Sequence, residues 1–149
     1  MKFYRLLLII PLMILLGCND YSLQDPFKGP NGLYGYKDGD GKIRVKAKYH
    51  DADQFSEGFA RVNLNGKWGF INKQGKEVIK LKYDGVRNFS EGLAAVRLGD
   101  YYPTSKWGFV DKKGKEVVPP RYDYVEDFSE GHALVRLNGQ WGFVDKNGN

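Results

Sequence analysis

The stretch at positions 138–148, "NGQWGFVDKNG", decides the fold because related stretches return along the chain. Its first part recurs as "NGKWGF" at 65–70 and as "SKWGF" at 105–109. An Asn-Gly pair between two apolar runs is a strong signal for a β-hairpin, since both turn residues must adopt a positive φ. The stretch therefore predicts two antiparallel strands joined by a two-residue turn.

Alignment of the copies gives a tandem repeat with a period of 34 residues, lengthened once to 39 by an insertion. The segment "FSEG" recurs in the same register, at 55–58, 89–92 and 128–131. One position of the repeat is always aromatic: Tyr34, Trp68, Trp107 and Trp141. Three full periods and a partial fourth therefore span residues 34–149, which are predicted to form one repeat domain.

Each unit is predicted to be a three-stranded antiparallel meander, because no window carries a helical stripe. In the second turn, Gly114 is expected to be left-handed and Asp111 to accept hydrogen bonds from the turn backbone. Both ends of the domain contribute the same kind of strand rather than complementary halves of one unit. An all-β open array is therefore expected instead of a closed propeller.

The two-residue turn also fixes the register of the last hairpin. It places three pairs of residues opposite one another: Arg136 and Trp141, Val135 and Gly142, Leu134 and Phe143. Both hairpin faces are then largely apolar, so one is expected to pack within its own unit and the other against a neighbouring copy. Arg97 and Arg136 are expected to lie over their cross-strand tryptophans, a contact worth about 0.5–1 kcal/mol when exposed.

The repeated residues have a scaffold interpretation and a binding interpretation. The tryptophans are predicted to be core plates, with the following glycines allowing a close approach; exposed platforms for glycan or peptide are the alternative. The "FSEG" glutamates are predicted to serve turns; a row of carboxylates that binds cations or a basic partner is the alternative. These scaffold positions are Tyr34, Trp68, Trp107, Trp141, Gly69, Gly108, Gly142, Glu57, Glu91 and Glu130.

The motifs "KWGF", "QWGFVDKNG", "FSEG" and "GKEVVPPRYD" resemble the WG-repeat (KWG) family of bacterial repeat proteins. The first copy departs from the pattern, since Tyr34 replaces tryptophan and "KIRVKAKY" replaces "KEVVPPRY". The resemblance implies a β-repeat array of the kind found in cell-envelope or interaction proteins. It supplies no catalytic residue.

The N-terminus carries an export signal, with a short basic start and an apolar run before Cys18. The stretch "LLGC" at 15–18 resembles the lipobox of bacterial lipoproteins, which implies cleavage after residues 1–17 and lipid attachment to Cys18. An ordinary signal peptide with a chance cysteine and an uncleaved membrane anchor are the alternatives. Residues 18–33 are predicted to be a tether. The expected location is the bacterial cell envelope, on a membrane.

The composition argues against nucleic-acid binding and against catalysis. The formal charge is +5, to which the signal contributes Lys2 and Arg5, and no basic stripe with interleaved aromatics occurs. The two histidines, His50 and His132, lie far apart and have no metal-ligand spacing. We therefore expect no enzyme activity, metal or cofactor.

The insertion "GDYYPTS" at 99–105 breaks the repetition and carries Tyr101, Tyr102 and Pro103. Paired tyrosines in a loop suit recognition of a protein or glycan; a tolerated loop insertion is the alternative. The sequence thus favours a membrane-anchored, non-catalytic binding or assembly module. A structural spacer and a self-associating envelope protein, joined through open strand edges, are further hypotheses; an envelope enzyme is the least favoured.

Overall fold

Four antiparallel sheets follow one another along the chain in the computed structural model, which describes residues 22–149. Every secondary-structure element within this range is a β-strand. Each sheet is a meander whose strands are ordered as in the sequence, and no sheet closes into a barrel. The predicted fold class, an all-β open repeat array, is confirmed. The signal peptide 1–17 and Cys18 lie outside the described residues.

The strands are numbered in chain order and grouped by sheet. Sheet one contains β1 (Leu23–Lys28), β2 (Tyr34–Asp38) and β3 (Ile43–Tyr49). Sheet two contains β4 (Asp51–Ala52), β5 (Phe59–Leu64), β6 (Lys67–Asn72) and β7 (Glu77–Tyr83). Sheet three contains β8 (Gly85–Ser90), β9 (Leu93–Leu98), β10 (Lys106–Asp111) and β11 (Glu116–Tyr122). Sheet four contains β12 (Tyr124–Val125), β13 (His132–Leu137) and β14 (Gln140–Asp145).

Sheets two and three have a fourth strand that the predicted three-stranded meander lacks. The additional strands are β4 and β8, which pair with β5 and β9 at the start of each sheet. Only one residue separates each from the last strand of the preceding sheet. Sequence periodicity could not show a strand as short as β4, because two residues carry no alternation.

The predicted hairpin register is confirmed. Arg136 lies opposite Trp141, and Val135 lies opposite Gly142. The Asn138-Gly139 turn has φ values of 51° and 80°, as a two-residue hairpin with both residues left-handed requires.

The second turn of the unit also has the predicted geometry. Gly114 has a φ of 81°, and Asp111 Oδ1 accepts hydrogen bonds from the backbone N–H of Lys113 and Lys115, both at 2.9 Å. The carboxylate thereby satisfies turn donors that no strand could reach.

The expectation of a tether over residues 18–33 is wrong for β1. Leu23 is buried and packs with Tyr36 and Ile71, and its backbone N–H donates to Lys73 O at 2.8 Å. The turn-forming composition concealed this strand, because Pro26 is tolerated in β1 at the edge of its sheet.

The hydrophobic core consists of three clusters, each formed between two consecutive sheets. In the middle cluster, Phe70 and Tyr83 of sheet two pack with Val96 and Val110 of sheet three. Each such side chain contributes about 1.5–3 kcal/mol when fully buried. Stacking therefore completes the core, as predicted. The two faces of a hairpin, however, pack against the preceding and the following sheet, and neither packs inside its own unit.

Candidate functional site

The insertion at 99–105, here called the tyrosine loop, joins β9 to β10. At the equivalent place in the other units, β5 and β13 are each followed by an Asn-Gly turn. The Tyr101 and Tyr102 side chains are 81% and 70% exposed. Pro103 follows them, across a cis peptide bond. The structure thus places all three predicted binding residues together on the surface.

Hydrogen bonds hold both ends of the tyrosine loop. At its start, Gly99 N–H donates to Asp84 Oδ2 at 2.8 Å, and Arg97 Nη1 donates to Asp100 O at 2.6 Å. At its end, Ser105 is buried and donates its backbone N–H to Tyr101 O at 2.8 Å. The tyrosines therefore extend from a loop with a defined backbone.

Asp84 belongs to a set of side chains that fix the first hairpin turn of each unit. Its ion pair with Lys67, and then the Gly99 N–H, hold the pKa of this carboxyl below its ordinary value. The equivalent Asp123 accepts from Asn138 N–H at 2.7 Å, and the equivalent His50 accepts through Nδ1 from Asn65 N–H at 3.2 Å. His50 thus has a turn-capping role, which the alignment of His50 with Asp84 could have indicated.

The tryptophans lie nearer the surface than the predicted core plates. Trp68 and Trp107 are partly buried beside the clusters, whereas Trp141 is 56% exposed. Phe70 and Phe109, two residues after Trp68 and Trp107, are fully buried instead. The expectation of a buried plate is therefore wrong for Trp141. Large apolar side chains stabilise the core where they lie between two sheets, and Phe70 and Phe109 occupy that position.

The predicted cation–π pairs are present. The guanidinium of Arg97 lies 5.8 Å from the ring centroid of Trp107, and that of Arg136 lies 5.6 Å from Trp141. Both follow directly from the hairpin register.

The WG glycines make the predicted close approach, but to the last strand of their own sheet. A Cβ added at Gly69 would lie 2.4 Å from Ile79 O, and one at Gly108 would lie 2.2 Å from Val118 O. At Gly142 an added Cβ would meet no atom of the described residues within 4 Å.

The "FSEG" glutamates occupy two-residue turns, and two of them also join consecutive sheets. Glu57, Glu91 and Glu130 have φ values of 49°, 51° and 51°. The Glu91 carboxylate accepts from Gly131 N–H and pairs with Lys146 Nζ, both at 2.9 Å. The Lys146 ammonium, and then this N–H, hold the pKa of Glu91 below its ordinary value.

Glu57 makes the corresponding contacts one sheet earlier. Its carboxylate accepts from Gly92 N–H at 3.1 Å and pairs with Lys112 Nζ at 3.0 Å. Burial opposes its ionisation, but Lys112 and Gly92 outweigh that effect, so the net pKa lies below the ordinary value. Each contact reaches the following sheet, which a single-unit turn role does not require.

A second exposed surface, here called the end face, lies on the far side of sheet four. It consists of Glu130, His132, Trp141 and Phe143, and Phe143 is 71% exposed. Open depressions of about 430 and 300 Å³ adjoin Phe143. Sequence reasoning missed this surface. Its signal was the last hairpin, in which both faces are largely apolar.

Two further observations concern metal ligands and long helices in the described part of the chain. Within residues 22–149, no group of three or more His, Cys, Asp or Glu side chains is arranged to hold a metal ion. The same residues contain no helix long and apolar enough to cross a membrane.

Comparison with known families gives one result. The WG containing repeat family matches the chain at residues 34–68, 68–102 and 107–141. No curated protein and no solved structure matches it. The WG-repeat family is not a known enzyme family. The matched segments cover most of the chain, and each runs from one sheet into the next, so the chain belongs to the WG containing repeat family.

Proposed function

We propose that this chain is a lipid-anchored, non-catalytic binding module of the bacterial cell envelope. The observation that carries the proposal is the tyrosine loop, in which two strongly exposed aromatic rings extend from a backbone fixed at both ends. Loops of this kind on a rigid scaffold are common binding sites. The stacked sheets supply the scaffold.

The proposed partner is a protein or a glycan. A tyrosine ring supplies a large amphipathic contact area at low cost in conformational entropy, because it has only two χ angles. A backbone already held by Asp84 and Arg97 reduces the ordering cost of binding further. Tyr101 and Tyr102 are therefore assigned as the main contact residues, with Pro103 shaping the loop between them and β10.

The anchor is assigned to Cys18 from its "LLGC" context. Leu23, the first buried residue that the structure describes, follows Cys18 by five positions, which span at most about 18 Å when fully extended. Sheet one would therefore lie next to the membrane. Its basic side chains suit an anionic surface, each contributing about 1 kcal/mol there. They are Lys28, Lys37, Lys42, Lys46 and Lys48.

One experiment tests both parts of the proposal. A photo-crosslinking amino acid is placed at position 102 in cells fed labelled fatty acid, in the parent chain and in Cys18→Ser. We expect a discrete adduct from position 102 and fatty-acid label only in the chain with Cys18. The matched control carries the crosslinker at Gln74, which is exposed in a turn of sheet two.

The two readouts can fail separately. The same adducts from positions 102 and 74, or none, would reject the tyrosine loop as the binding site and favour a structural spacer. Fatty-acid label on Cys18→Ser would reject the anchor.

A further inference from the structure

A polar cleft lies between sheets two and three, beside the first "FSEG" turn. It is open to solvent and has a volume of about 360 Å³, at the lower end of the range of about 300–1,000 Å³ found for small-molecule sites. The cleft therefore has room for a small ring rather than for a long segment. The described residues that line it are Asp53, Gln54, Phe55, Ser56, Arg61 and Asn88.

Sheet two departs from the repeat pattern at this cleft. Arg61 stands where sheet three has Ala95, which is buried in the core cluster between sheets three and four. A guanidinium group cannot enter an apolar core without its hydrogen-bond partners, so Arg61 keeps this junction polar. At the next junction Ser90 Oγ donates to Phe128 O at 2.7 Å, whereas the equivalent Ser56 hydroxyl has no hydrogen-bond partner among the described residues.

A charged pair that spans the next junction is also missing from the cleft. At that junction, Arg87 Nη1 lies 4.0 Å from Asp127 Oδ1. The residues in the equivalent places are Asp53 and Asn88, and Asp53 pairs with Arg61 of its own sheet instead. The Asn88 side chain is exposed and has no partner in the part of the chain that the structure describes. Its amide is therefore free to contact a ligand.

The charged wall of the cleft is held in place by contacts from three sheets. Arg61 pairs with Asp53 through Nε and Nη2, and its Nη1 donates to Val86 O of sheet three at 3.0 Å. The Tyr36 hydroxyl of sheet one donates to Asp53 O at 2.8 Å. Because these groups are already ordered, a ligand would not have to fix them on binding.

The free groups of the cleft match a neutral ligand that is rich in hydroxyl groups. The exposed amides of Gln54 and Asn88, together with the Ser56 hydroxyl, offer both hydrogen-bond donors and acceptors. The charged residues of the lining are Asp53 and Arg61, and they neutralise each other. The lining therefore does not favour an ion of either sign.

We propose that this cleft binds one pyranose ring of a neutral glycan. Gln54, Ser56 and Asn88 hydrogen-bond the sugar hydroxyls, and the half-buried ring of Phe55 packs against the C–H face of the sugar. An extended peptide fits less well, because it needs an open strand edge or an apolar groove, and Phe55 is the one apolar residue of the described lining. This site is separate from the tyrosine loop and does not rest on the function proposed above.

Titration of the purified full chain with glucose, galactose and N-acetylglucosamine tests the proposal by ¹H–¹⁵N NMR. The side-chain NH₂ signals of Gln54 and Asn88 report directly on the cleft. We expect at least one of the three sugars to shift both signals saturably, with a Kd of about 1–10 mM for a single small ring. Glycerol at the same concentration of hydroxyl groups is the control ligand and should shift neither signal.

Asn88→Ala should raise the Kd about tenfold or more, followed through the Gln54 signal, because it removes one of the two amides. The Asn88 side chain is exposed and unpaired among the described residues, so this variant should remain folded, which circular dichroism verifies. Asp127→Ala changes the equivalent position at the junction of sheets three and four. It is the matched control and should bind the sugar like the parent chain.

The proposal is overturned if none of the three sugars shifts either amide signal up to about 100 mM, a concentration tenfold above the weakest Kd expected. Equal shifts with glycerol, or an unchanged Kd in Asn88→Ala, would also overturn it. Shifts confined to the tyrosine loop would place sugar binding there and reject the cleft, so the two sites can fail separately.

Discussion

Glycine at the second WG position has a structural role that depends on the neighbouring strand. At Gly69 and at Gly108, a backbone carbonyl of the neighbouring strand lies so close that a Cβ atom has no room. Gly142 has the same sequence context and no such neighbour among the described residues. The same dipeptide therefore has different energetic consequences in different copies.

Gly108→Ala should destabilise the protein by about 1–3 kcal/mol, since its methyl group must displace the backbone of β11. Gly142→Ala should change the free energy of unfolding by less than about 0.5 kcal/mol. Urea unfolding of the two variants measures both values. Equal destabilisation by the two substitutions would show that the glycines serve β-strand conformation and not the close approach.

At the scale of elements, the glutamate turns connect consecutive sheets. Glu91 in the turn between β8 and β9 reaches Gly131 and Lys146 of sheet four. Glu130 is exposed, and none of the described residues gives its carboxylate the equivalent contacts. The chain thus contains one glutamate turn that contacts the next sheet, at Glu91, and one without such contacts among the described residues, at Glu130.

Glu91→Gln should lower the urea midpoint at pH 7, whereas Glu130→Gln should not. The contacts hold the pKa of Glu91 below its ordinary value, so the folded state favours the ionised form. The resulting stability is present above the unfolded-state pKa of about 4.3 and is lost as the pH falls through the lower folded-state pKa. Urea midpoints between pH 7 and pH 2 should therefore converge for the parent chain and Glu91→Gln. A constant difference over this range would contradict the assignment.

At the scale of the whole molecule, stability is distributed along a row of sheets. The three core clusters each join two neighbouring sheets, so sheets two and three contribute to two clusters and the outer sheets to one. Arrays of this kind unfold approximately as a sum of unit and nearest-neighbour terms.

Hydrogen exchange should therefore be slowest in sheets two and three and faster in the outer sheets. The amides of Val62 and Val96 are expected to be among the most protected, and those of Trp141 and Phe143 among the least. Exchange detected by mass spectrometry on peptide fragments resolves the four sheets. Uniform protection in all of them would indicate a single cooperative unit instead.

The sequence by itself determined the features that depend on nearby residues. The Asn-Gly turn fixes the pairing of Arg136 with Trp141, because a two-residue turn allows one register. Asp111 and Gly114 fix the second turn in the same local way. Repetition of these local signals gave the period, the all-β class and the open array.

Only the tertiary structure decided which residues are buried, joined or exposed. The strand β1, the burial of Phe109 in place of tryptophan and the position of the Glu91 carboxylate all depend on contacts with a neighbouring sheet. A periodic sequence gives equivalent residues the same local signal, but a residue is buried only if a neighbouring sheet covers it. Phe109 and Phe143 therefore share one motif, yet the first is 1% exposed and the second 71%.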